Sequence, residues 1–153
     1  MASAKYGAAF PPALDSPAPS MPIPEKVVAA VVKEASGRMS DPRYAQVLVG
    51  SWVQVQPQAS RFITAYAKEL GGGEGVVNVV FHAALIASCF LRHVGRRVRL
   101  LAFADLDAVA ALDREAELQR RQPALFDYVI ANVEQADAKR LLMLLALGMD
   151  AVT

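Results

Sequence analysis

From Pro24 onward, apolar residues recur every three to four positions, the spacing of helices that bury one stripe. Val27, Val28, Val31, Val32 and Ala35 make the first stripe, with Pro24 suited to the opening turn and Gly37 to the stop. Ser40 or Asp41 caps a second helix, Pro42 follows in its first turn, and Tyr44, Val47, Leu48, Ser51, Trp52 and Val55 share one face. Pro57 breaks the pattern. A third helix turns Ala59, Phe62, Ile63, Tyr66 and Leu70 inward until Gly71-Gly72-Gly73 and Gly75.

The next run, residues 76–94, is apolar or small around its whole circumference, which marks a helix enclosed on every side. Gly95 closes it. Residues 96–103 form a connector, followed by a short helix over 105–112, a charged continuation of it or a separate turn over 114–121, a helix opened by Pro123 and a last helix over 138–152. The last helix is again apolar all round, through Leu141, Leu142, Met143, Leu144, Leu145 and Met149. No strand–helix alternation and no internal repeat is evident. The expected fold is all-α: an irregular bundle of about six to eight helices over residues 25–153, behind a proline-rich extended arm over 1–24.

That arm holds six of the nine prolines. Proline fixes φ and lacks an amide donor, so the segment is expected to be extended. Tyr6, Phe10, Leu14, Met21 and Ile23 are its candidate anchors on a neighbouring surface.

Two helices that are apolar all round compete for the one fully surrounded place in a chain of 153 residues. The helix that loses exposes side chains worth roughly 1.5–3 kcal/mol each when buried. A patch of that kind marks an interface. The expectation is therefore a non-catalytic assembly or adaptor protein, a homo-oligomer or the binder of a protein partner. Its contact residues are expected to be Tyr6, Phe10 and Leu14 of the arm and Leu141, Leu142, Leu144, Leu145 and Met149 of the last helix.

Composition narrows the alternatives. The chain is 54% hydrophobic and 20% charged, with a net charge of +1 and a mean hydropathy of +0.28. This is a core-building composition without a global field for nucleic acid. The central run reaches the ~20 residues of a membrane span only by including Asn78, His82 and Arg92, so no span is expected. With one cysteine, Cys89, no intrachain disulfide forms, and no signal core precedes Pro11-Pro12, which makes the cytoplasm the expected compartment. No cofactor motif is present.

Two clusters carry alternative chemistry. On the central helix His82, Cys89 and His93 fall within roughly 40° of one another at about 100° per residue, and Cys89 and His93 have the i, i+4 spacing of paired metal ligands. His82 lies about 10 Å along the axis from Cys89, too far to share the ion. This face is the alternative reading as a metal or ligand site, with enzyme chemistry attached. Arg92, Arg96, Arg97 and Arg99 form a basic knot, the second alternative, for phosphate contacts with nucleic acid. Nearby Asp105, Asp107 and Asp113 offer internal ion partners, which disfavours nucleic acid.

Overall fold

A computed structural model describes residues 21–93 and 97–153 of the chain. Tyr6, Phe10, Leu14 and Arg96 lie outside the described residues. Among the described residues there are eight helices and no strand: α1 (Glu25–Arg38), α2 (Pro42–Val55), α3 (Pro57–Thr64), α4 (Gly73–Arg92), α5 (Phe103–Ala110), α6 (Arg114–Arg121), α7 (Pro123–Asn132) and α8 (Ala136–Ala151). The helix starts follow the punctuation in the sequence. Asp41 accepts from the Arg43 amide and Asp113 from the Ala116 amide, so each carboxylate caps a first turn. Pro57 and Pro123 occupy first-turn positions, where no amide donor is needed.

The glycine run departs from expectation. α3 ends at Thr64, and the chain winds through hydrogen-bonded turns to Gly72. Gly71 and Gly72 carry φ of 87° and 98°, which glycine adopts without strain. They alone make the break; Gly73 and Gly75 belong to α4. At Gly75 a Cβ would sit 1.8 Å from the Leu70 carbonyl oxygen, so the backbones touch there.

The helices form two halves that repeat one order: a short non-helical segment, two helices, a Gln-Pro step, a third helix and a longer fourth. α1–α4 make the first half and α5–α8 the second. Every substantial helix–helix contact survives exchange of the halves. α4 packs on α8; α1, α2 and α3 pack on α4 as α5, α6 and α7 pack on α8; α1 meets α7 as α5 meets α3. Corresponding positions are buried alike: Ile23 and Leu101, Val28 and Leu106, Ala59 and Leu125, Ile63 and Val129.

The Gln-Pro steps explain how the halves grip each other. Gln56 and Gln122 share nearly the same backbone angles, −131°/63° and −138°/70°. Both side chains are buried. Gln56 donates to the Arg99 carbonyl at 2.9 Å and accepts from the Leu101 amide at 2.8 Å. Gln122 donates to the Met21 carbonyl at 3.2 Å and accepts from the Ile23 amide at 2.8 Å. Each amide thus satisfies two backbone groups two residues apart in the opposite half. The Ile23 and Leu101 amides lie in buried bonds, where loss of the glutamine acceptor would cost about 1–3 kcal/mol each. The absence of a visible repeat in the sequence is thereby corrected: the repeat is one of architecture.

The contest for the central place is won by α8. Every residue from Leu141 to Asp150 is buried within the one chain. Leu141, Leu142, Leu144, Leu145 and Met149, expected as contact residues, are core residues, because α4, α5, α6 and α7 surround their helix. α4 is the less enclosed of the pair. It buries eight side chains against its neighbours but leaves Val77 and Leu91 exposed. Among the described residues it is also the one helix long and apolar enough to cross a membrane.

Candidate functional site

The three residues of the α4 polar face go separate ways. His82 Nδ1 lies 2.7 Å from the Tyr128 hydroxyl on α7, and the two rings meet edge to face at 5.8 Å. Burial lowers the His82 pKa and raises that of Tyr128, so this is a neutral hydrogen-bonded pair. Cys89 is buried, and loss of solvation pushes its thiol up to about 12, against a smaller opposing pull from Arg92. A thiol held that high is neither nucleophile nor ready metal ligand at neutral pH. His93 ends the helix, its Nε2 buried and without a hydrogen-bond partner among the described residues. Among the described residues no group of three or more His, Cys, Asp or Glu is placed to hold a metal ion.

One consequence is measurable. The folded protein is expected to resist a thiol reagent such as dithionitrobenzoate at pH 8 and to release one equivalent on unfolding in guanidinium. Rapid stoichiometric reaction of the native chain would contradict the buried, protonated thiol.

Of the three described members of the basic knot, two are engaged within the protein. Arg92 is ion-paired with Glu34 of α1. Arg99 Nε donates to the Val152 carbonyl at 3.0 Å. Farther along the chain, Arg120 and Arg121 both bind Glu117, and Arg140 binds Asp137. Among the described members, Arg97 is the one with no ion or hydrogen-bond partner, and it lies at the edge of a groove.

That groove, about 690 Å³, opens between α2 and α4 and is walled on its third side by residues 97–100. α2 lines it with Leu48, Ser51, Trp52 and Val55, at i, i+3, i+4 and i+7. α4 lines it with Ala84, Ala87, Ser88 and Leu91, at the same intervals. The small side chains on α4 keep the floor low. Trp52 is the single tryptophan of the chain, and its buried indole Nε1–H has no acceptor among the described residues.

The rim is apolar as well. Val55 is 63% exposed, Leu91 54% and Leu100 52%. α2 itself buries only Trp52. Glycine does not explain this surface: a Cβ at Gly50, mid-helix on α2, would meet nothing within 4 Å, so no close helix crossing depends on it.

The chain matches no family model, no curated protein and no solved structure.

The duplicated architecture therefore supplies the internal comparison. Where the groove has Ser51, Trp52 and Val55 before Gln56, the second half has Glu117, Leu118 and Arg121 before Gln122. Glu117 and Arg121 pair with each other at 3.0 Å. Where α4 places Ala87, fourteen residues into its helix, α8 places Asp150, which accepts from Gln122 at 3.0 Å and is 4% exposed. One copy of the frame is polar and internally paired at this place, and the other is apolar and open. The sequence reading found the α2 stripe and the small residues of α4 but assigned them to packing. The exposure of Val47 and Val55 had no sequence signal, since the same spacing serves a buried face.

Proposed function

We propose that this protein is a non-catalytic docking module that holds a protein partner against the α2–α4 face. The supporting observation is the set of exposed aliphatic side chains, Val55, Leu91 and Leu100, around an apolar groove. Exposed apolar area concentrated about a concavity is characteristic of surfaces that are covered in use. A small ligand would need the groove and not its rim. The assembly role expected from the sequence is kept, but its surface moves from α8 to the helix that lost the central place.

The test is site-specific photocrosslinking in the native cell. Benzoylphenylalanine at Val55 is expected to give a discrete protein adduct, while the same group at exposed Gln119 on α6 gives none. Val55→Arg in the full chain is expected to abolish the adduct formed from a second probe at Leu100 and to leave Tm unchanged, because the side chain is already solvated. Adducts of equal yield from positions 55 and 119, or none from either, would refute the reading.

A further inference from the structure

The groove specifies more than a protein surface. Its two helical walls each present a stripe seven residues long, which at 1.5 Å per residue is about 10 Å, or two helical turns. The α4 stripe is built mainly of the small residues Ala84, Ala87 and Ser88, which suit the close approach of a third helix, since packed helix axes lie about 8–10 Å apart. Among the described residues the lining contains two arginines, Arg97 and Arg99, and no carboxylate. Arg99 is held in place through Val152, and Arg97 has no partner among the described residues. Both lie on the same wall, the segment after α4.

Resting on the docking reading above, we propose that the groove binds an amphipathic helix of a separate protein, whose apolar stripe lies between α2 and α4 and whose acidic flank meets Arg97 and Arg99. A second copy of this chain is disfavoured as occupant by charge. In a two-fold contact the same patch faces itself, so both copies of Arg97 and Arg99 would converge without carboxylates to neutralise them. A small amphipathic acid is disfavoured by the exposed rim, which it would leave uncovered.

The proposal is tested with the full chain and a displayed library of random 16-residue peptides. Binders are selected on the native protein and counter-selected on Ser51→Glu. Ser51 is an exposed groove residue, so this substitution alters the surface without touching the core. Binding is then read from the fluorescence of Trp52. The expected winners carry apolar residues at helical spacing with Asp or Glu on one flank, become helical by circular dichroism on binding, and bind Arg97→Glu at least tenfold more weakly. Exchanging the acidic flank for lysine is expected to restore binding to Arg97→Glu, which a merely structural role for Arg97 would not do.

Other outcomes overturn the proposal in distinguishable ways. Groove-dependent peptides that are basic or non-helical refute this partner chemistry and leave the docking reading standing. Failure to enrich any groove-dependent peptide counts against both. A concentration-dependent dimer dissolved by Ser51→Glu assigns the groove to a second copy, and saturable quenching of Trp52 by monomeric dodecanoate assigns it to a small acid. Either result refutes the helix.

Discussion

Gln122→Ala is expected to lower unfolding free energy by about 3 kcal/mol, the largest loss for any single polar side chain in the fold. The substitution removes the acceptor of the Ile23 amide and a donor to Asp150, both buried, and a donor to the half-buried Met21 carbonyl. A backbone group stripped of its partner without regaining water costs about 1–3 kcal/mol, and the vacated side-chain volume adds to this. Because the halves are built alike, Gln56→Ala, which frees the Arg99 carbonyl and the Leu101 amide, is expected to cost a similar amount. Urea unfolding of the two variants measures both. Losses below about 1 kcal/mol for either would show that these side chains do not clamp the halves. Limited proteolysis gives an independent reading, since Gln122→Ala should open the chain to cleavage around Met21–Ile23 before the helices melt.

Gly75→Ala is expected to be still more damaging. The added Cβ would stand 1.8 Å from the Leu70 carbonyl oxygen, and the obstacle is backbone, which cannot rotate away. Either the first turn of α4 unwinds or the turn at Gly71-Gly72 shifts, dragging buried Leu70 out of the core. A loss of about 3–5 kcal/mol is expected, which in a domain of this length lowers Tm by roughly 10 °C. Gly73→Ala is the control. Nothing lies within 4 Å of its Cβ position and its φ is ordinary, so that change should be neutral or slightly stabilising. Calorimetry on the pair separates steric contact from the general cost of removing a glycine. Equal Tm values would disprove the close approach.

These two positions also show why one half of the frame stays open. The clamps at Gln56 and Gln122 fix the two connecting segments equally, so the scaffold treats both sides alike. The difference lies in what surrounds each clamp. Beside Gln122, Glu117 pairs with Arg121 and Asp150 accepts from Gln122 itself, so these polar groups need no visitor. At the corresponding places beside Gln56 stand Ser51, Val55 and Ala87, none of which carries a charge to pair with a neighbour. An apolar surface held rigidly at a clamp cannot collapse to hide itself, so it remains available to a partner.

Helix identity and most helix starts were readable from the chain alone, because they depend on groups a few residues apart. Asp41 before Pro42, Pro57, Asp113 and Pro123 act on their own first turns, and the three-to-four spacing of Val28, Val31 and Ala35 needs no distant partner to be a stripe. The all-helical class followed from these local rules. Three matters did not follow. Enclosure of α8 rather than α4 was decided by which neighbours cover each, and two helices of similar apolarity cannot reveal that difference. The roles of Gln56 and Gln122 rest on bonds across 43 to 101 residues of sequence, and a glutamine before a proline looks the same wherever its side chain ends. The placing of Val55 and Leu91 at a groove rim rather than in the core likewise required the whole assembly of helices. Spacing records that a face is apolar; only packing decides whether that face meets the protein's own core or the outside.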